Sequence, residues 1–230
     1  ETRQIEWNSQ GGFSSLVGFC PRDFASKLDE KVRSELKEVG LLTQQGRALF
    51  GECLVFALRS VEGEIVSLYA RRIEDAKTNN HIFLPGERLG VLGFYESESD
   101  SLIVVESVLD ALALKSRGFA NVLALHGVNG FTQTHLEWIE AHSVSEIILM
   151  MDSDEAGQKA ALKIQERLEN AGAESGGIEV QNCTLPIGED PCSFLASNDS
   201  ALEWIEEELE MLMENFTSSS RLTGSLEELQ

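Results

Sequence analysis

Long apolar runs are missing from this 230-residue chain, and no stretch approaches the roughly 18 to 20 uninterrupted apolar residues of a membrane-spanning helix. The first residues, ETRQIEWNSQGG, lack the basic flank and apolar run of a signal peptide. The expectation is a cytoplasmic protein with no membrane partner. Cysteine is scarce and badly spaced for chemistry. Cys20, Cys53, Cys183 and Cys192 stand 33, 130 and 9 positions apart, so no CxxC pair exists to build a zinc knuckle, a redox motif or a disulfide framework. Each thiol reads most simply as a reduced, small core residue. No internal repeat is present.

Positive charge is also in short supply, and unevenly so. The formal charge is -21, yet residues 1–95 hold 12 Lys and Arg against 13 Asp and Glu, whereas residues 96–230 hold 6 against 26. Nucleic-acid phosphates are contacted by Lys and Arg, so the first part alone could carry a basic groove. Some of the later acid belongs to ALEWIEEELEMLMEN, where Leu202, Ile205, Leu209 and Leu212 fall at helical spacing with glutamates between them. That is an amphipathic helix with a solvated face, not a site.

With 42% hydrophobic residues the chain can bury a real core. FASKLDEKVRSELKEVGLL places Leu28, Val32, Leu36 and Val39 on one helical face, with Gly40 as a stop. ECLVFALRS and EIVSLYARR around the turn EGE read as an antiparallel hairpin. From Ser101 the pattern becomes strand and helix in alternation: SLIVVE, SVLDALALKSRG, NVLAL, THLEWIEAH, EIILMMD, EAGQKAALKIQERLENAG, GIEVQNC. Alternation of this length implies parallel strands joined by right-handed crossovers. The fold class expected is α/β, a parallel sheet flanked by helices, preceded by a smaller α+β domain. The boundaries are 1–98, 99–198, and an acidic C-terminal helix and tail over 199–230.

In open parallel sheets ligands bind beyond the carboxyl ends of the strands. Glu106 closes SLIVVE and Asp152 closes EIILMMD, so both emerge on that edge, and Asp154 returns to the same side two residues later. Three converging acids repel unless a cation or proton intervenes. Hard oxygen ligands of this number suit Mg2+ or Mn2+ with substrate phosphate completing the shell, which points to phosphoryl chemistry on nucleotides. Taken alone, Asp154 reads equally as a helix N-cap. Asp110 lies one turn beyond Glu106 and faces the same way, although a first-turn acid also suits the helix dipole. Gly157 is expected to let the chain turn tightly into the next helix. His126 follows NVLAL on the same edge, while His135 and His142 are expected at the surface of a helix.

SLIVVESVLDALALKSRGFANVLALHGVNGFTQTHL followed by EIILMMDSDEAGQKAA resembles the topoisomerase-primase (Toprim) domain, with a glutamate motif and a DxD motif in order. GRALFGECLVFALRSVEGEIVSLYARR and NNHIFLPGERLGVLGF are similar to the segment preceding Toprim in bacterial-type DNA primases, and LPIGEDPCSFL to the segment after it. The likeness spans roughly residues 40–198.

That resemblance implies a nucleotidyltransferase that makes RNA primers on a single-stranded DNA template from ribonucleoside triphosphates, with a helicase as a further partner. It implies Glu106, Asp152 and Asp154 as catalytic acids, and Glu106, Asp110, Asp152, Asp154 and Asp190 as ligands of Mg2+ or Mn2+. Glu106 is open to a second role, as general base. The family pattern has another acid two residues after the one matched by Asp190, where this chain has Cys192. Arg71 matches a basic residue near nucleotide and template, with Arg72, Lys77, His81 and Arg88 as companions. The zinc-binding module that precedes such cores has no counterpart, so a fragment of a longer replication protein is expected. The rivals are a Toprim nuclease and a non-catalytic Mg2+-binding regulatory module.

Overall fold

The computed structural model describes residues 17–73, 80–95, 101–175 and 177–227. They fall into two compact units, one ending at Leu92 and the other beginning at Gly93. The first is built on a four-stranded antiparallel sheet in the order β1 (Val17–Cys20), β2 (Cys53–Arg59), β3 (Ile65–Arg72), β4 (His81–Phe83). β2 and β3 form the expected hairpin. Its turn closes through Ser60 N–H to Glu64 O at 2.8 Å and Gly63 N–H to Ser60 O at 3.0 Å, and Gly63 takes a φ of 82° that a side chain would resist. Phe56 and Tyr69 stack with ring centroids 5.6 Å apart, and Phe50, Cys53 and Ala70 bury a cluster beside them.

The single helix expected over residues 24–39 is two pieces. A 3-10 turn (Phe24–Lys27) ends at Leu28, whose ψ of 146° is extended, and α1 (Glu30–Glu38) begins after it. Asp29 explains the break, because its carboxylate accepts from Val32 N–H at 2.9 Å and caps a new N-terminus. An Asp inside a helical period competes with the helix it sits in.

The second unit is the α/β one. Its sheet runs β5 (Leu92–Phe94), β7 (Val122–Ala124), β6 (Ser101–Val105), β8 (Glu146–Met150), β9 (Glu179–Asn182). β6 pairs in parallel with both β7 and β8, and β8 with β9. The helices are α2 (Val108–Ser116), α3 (Gln133–Ala141), α4 (Glu155–Ser175), α5 (Pro191–Ser197) and α6 (Ala201–Glu227). Residues 108–114 of α2 are all buried, so the helix packs on every side. α6 turns Ile205, Leu209 and Leu212 of the expected stripe inward together with Ala201 and Phe216, leaves Leu202 of that stripe only partly buried, and exposes Glu203, Glu206, Glu207 and Glu210. Gln181 Nε2 of β9 donates to Leu212 O at 2.9 Å, tying that helix to the sheet. Among the described residues no helix is long and apolar enough to cross a membrane.

β5 and α5 were not expected, because segments of 3 and 7 residues are too short to show a period. The strand order has a larger consequence. After β6 the chain crosses to β7 on one side, then returns to lay β8 against the other side of β6, so its direction of winding reverses between β6 and β8. Loops leaving those two strands diverge to opposite faces and open a crevice at their carboxyl ends.

Candidate metal centre

Val105 and Met150 are paired in register, so the residues that follow, Glu106 on one strand and Met151 and Asp152 on the other, leave the sheet together at that crevice. Each acid is then fixed by a separate local device. Gly127 N–H donates to Glu106 O at 3.1 Å, which ties the end of β6 to the loop after β7. Asp152 is held by Gly157 for a reason the sequence does not disclose. The glycine lies inside α4 with no left-handed φ, and a Cβ there would stand 2.2 Å from Asp152 O. Gly157 is a close-approach position, not the turn expected of it.

Asp154 does cap a helix: its Oδ1 accepts Gly157 N–H at 2.7 Å, and its side chain is exposed. Ser153, between the two aspartates, clamps a distant loop. Its N–H and Oγ donate to Glu189 O at 3.0 and 2.9 Å, and its Oγ accepts Glu189 N–H at 2.9 Å. The next residue is Asp190, which caps α5 by accepting Ser193 N–H at 2.6 Å on Oδ1. Three bonds across 36 positions therefore seat the Asp190 loop on the DxD loop.

Asp110, only 2% exposed, joins the same assembly. Its Oδ2 accepts Ser107 Oγ–H at 2.5 Å and its Oδ1 accepts Cys192 N–H at 3.2 Å, linking the first turn of α2 to that of α5. An oxygen of Asp110, an oxygen of Asp190 and the Cys192 Sγ all lie within 4.8 Å of one another.

Glu106 registers the electrostatics of the cluster. Burial, then the charges of Asp110, Asp154 and Asp190, push its carboxyl up to about 7, against which the Val128 N–H pulls weakly. Its Oε2 is shielded from solvent and has no hydrogen-bond partner. A shielded, partnerless carboxylate oxygen among three further acids requires a proton or a cation. An oxygen-rich donor set with this orphaned atom fits a hard divalent ion: Asp110 and Asp190 bring oxygens within 4.8 Å of one another, and Glu106 feels the charges of Asp110, Asp154 and Asp190.

One histidine near this edge differs from expectation. His135 is fully buried rather than at the surface. Its Nε2 faces Ala124 O at 3.3 Å and its Nδ1 meets Thr132 Oγ1 at 2.8 Å. Burial first, then the neighbouring His126, holds it down to about 3, so it is a neutral structural ring. His126 packs edge-on against it with centroids 4.9 Å apart. His142 is partly exposed and stacks on Trp138 at 4.0 Å.

The expected nucleotide-binding residues belong to the first unit. Arg71 and His81 are paired across β3 and β4. Arg71 Nη1 donates to His81 Nε2, and His81 Nδ1 meets Tyr69 OH at 2.8 Å. A guanidinium only donates, so Nε2 is the acceptor in that contact. Arg88 lies over the Phe83 ring at 4.4 Å, and Arg72 is partly buried at the end of β3. Lys77 lies outside the described residues. Sequence reasoning overlooked Ser153 and Ser107, although Asp-Ser-Asp and Ser-x-x-Asp both advertise a small hydroxyl beside a helix start.

Comparison with known proteins places this geometry. Residues 103–195 match the Toprim-like family. The chain is 30% identical over 194 residues to a DNA primase of Chlamydia muridarum, covering 78% of this chain and 31% of that protein. A DNA primase domain from Pseudomonas aeruginosa is similar in fold, with a TM-score of 0.68 at 25% identity over 94% of this chain and 73% of that one. The DnaG primase catalytic domain bound to ssDNA gives 0.68 at 22% identity over 88% and 70%, a likeness of fold. The chain spans about three tenths of the length of the curated relatives it matches.

Proposed function

Since the chain carries a Toprim domain of the bacterial DNA primase type, we propose that it is the catalytic core of an enzyme that joins ribonucleotides into a primer along single-stranded DNA. The observation that carries this reading is Glu106, whose carboxyl is pushed up to about 7 by burial first and then by the charges of Asp110, Asp154 and Asp190, at the crevice of a parallel sheet. Structural burial alone gives no reason to assemble such a set. One structure similar in fold is a primase catalytic domain bound to ssDNA, which supports the choice of template.

Primer extension is attack of a 3' hydroxyl on the α-phosphate of a ribonucleoside triphosphate, with loss of pyrophosphate. When bound, Mg2+ or Mn2+ supplies neutralisation of phosphate charge and alignment of the triphosphate. Asp152 and Asp154 hold their carboxylates at the head of α4, where Gly157 and the Ser153 clamp fix the loop. Glu106, with a carboxyl near neutrality, is suited either to ligate or to take the hydroxyl proton. Asp110 and Asp190 complete the acid set from the starts of α2 and α5. In the first unit Arg71, locked by His81, presents a planar fork to phosphate, and Arg72 and Arg88 add charge to the same unit. Lys77 joins them by sequence, and a helicase is the expected partner in replication.

The test is primer synthesis on single-stranded DNA with Mg2+ or Mn2+, for the wild type and Asp152→Asn. The variant is expected to fold, as judged by its circular dichroism, and to make no primer. Normal synthesis by the variant would sink the assignment, and cleavage of DNA without nucleotide incorporation would replace it with a nuclease.

A further inference from the structure

Cys192 stands where the primase pattern has an acid, and the structure puts its sulfur beside two carboxylates. We propose that Asp110, Asp190 and Cys192 form a mixed oxygen and sulfur position that selects a thiophilic divalent cation, Zn2+, Cd2+ or Co2+, over Mg2+. This deepens the metal-centre reading above and rests on it.

The geometry is close to what such an ion takes. Ligand atoms about 2.0 to 2.3 Å from a tetrahedral centre stand about 3.3 to 3.8 Å apart. The three candidate atoms here already lie within 4.8 Å of one another. The remaining contraction falls on side chains whose backbones are fixed. Asp190 and Cys192 are two residues apart at the start of α5, and Cys192 N–H donates to Asp110 Oδ1 at 3.2 Å, which locks that start to α2. A thiol placed merely to fill core has no need of two carboxylates at its sulfur.

The surroundings favour the same ions. Asp110 is 2% exposed and Cys192 1% exposed, so two of the three ligands are shielded from solvent and only Asp190 is partly open to it. Mg2+ dehydrates reluctantly and keeps several waters, whereas Zn2+ and Cd2+ give theirs up for protein ligands and bind thiolate strongly. As sulfur binds, the thiol proton leaves to solvent and the site gains one negative charge to offset the dication. An aspartate at 192 would restore an all-oxygen set.

The test uses the full chain stripped with a chelator and titrated with Cd2+, read by the ultraviolet sulfur-to-metal charge-transfer absorption and by competition with Mg2+ in calorimetry. The wild type is expected to show the absorption at one equivalent. Cys192→Ser should lose it and bind Cd2+ about tenfold or more weakly, and Cys192→Asp should shift the preference toward Mg2+ by a similar factor. Cys192→Ser is nearly isosteric and guards against misfolding of the aspartate variant. An absorption that persists in Cys192→Ser belongs to Cys20, Cys53 or Cys183 and overturns the proposal. Absence of the absorption in a wild type that still binds Mg2+, with Mg2+ binding lost in Asp152→Asn, overturns the proposal while the metal-centre reading stands. Failure of the wild type to bind either ion overturns both.

Discussion

Replacing Glu106 with Gln should stabilise the metal-free protein and remove its response to metal. In the folded chain the Glu106 carboxyl rises from 4.5 to about 7, chiefly through burial and then through Asp110, Asp154 and Asp190. At about 1.36 kcal/mol for each tenfold change in proton affinity, that rise favours the neutral form by about 3.4 kcal/mol in a sealed site. Glu106 is partly exposed, and screening by solvent reduces this to about 1 to 2 kcal/mol. The sign follows from proton uptake. Below pH 4.5 the carboxyl is neutral in both states. From there to about 7 the unfolded chain gives up its proton first, so metal-free stability falls across that window and stays reduced above it. Glu106→Gln does not suffer this loss. In chelator at about pH 8 it should melt about 2 to 8 °C above the wild type, since about 1 to 2 kcal/mol shifts a chain of this size by that much. At about pH 5 most of the gain should vanish. Saturating Mg2+ should reverse the order, because a hundredfold excess over Kd adds about 2.7 kcal/mol to a protein that binds it. Thermal melts by circular dichroism in chelator and in Mg2+, at both pH values, make the measurement. Equal melting in chelator at the higher pH, or a gain of the same size at both, would refute the reasoning.

Gly157→Ala puts a Cβ 2.2 Å from Asp152 O, a backbone atom that cannot swing aside. It should cost about 2 to 3 kcal/mol and abolish the rise in melting temperature that Mg2+ gives the wild type; a variant that still responds to Mg2+ would show the loop and helix can part freely. Ser153→Ala removes the Oγ bonds to Glu189 but keeps the backbone one, so it should cost about 1 to 2 kcal/mol and weaken Mg2+ affinity about tenfold. Calorimetry showing unchanged affinity would mean that the Asp190 loop holds itself in place. Arg71→Ala should lower single-stranded DNA affinity and reduce the slope of log affinity against log salt by about 1, measured by fluorescence anisotropy. An unaltered slope would remove Arg71 from the phosphate contacts.

What the sequence determined by itself is the material carried by period and by charge. The alternation from Ser101 onward, the β2 and β3 hairpin and the acid at the end of each of two strands were all legible, because neighbours along the chain set them. The inward stripe of α6 and the exposure of its glutamates were legible for the same reason. Local chemistry already blurred the picture at Asp29, where a cap cut one expected helix in two. Only tertiary structure decided the rest. That β8 lies against β6 is a choice of strand order, and it alone brings the strand ends that lead into Glu106 and Asp152 to one edge. That Gly157 must lack a side chain depends on the carbonyl it packs against. That His135 is buried depends on what covers α3. Cys192 is the sharpest instance: its spacing marks it as an ordinary core thiol, and only the docking of α5 on α2, through one amide bonded to Asp110 across 82 positions, brings its sulfur to two carboxylates. Period and propensity act through neighbours in sequence, whereas a site is assembled from side chains that meet only after the chain has closed its loops.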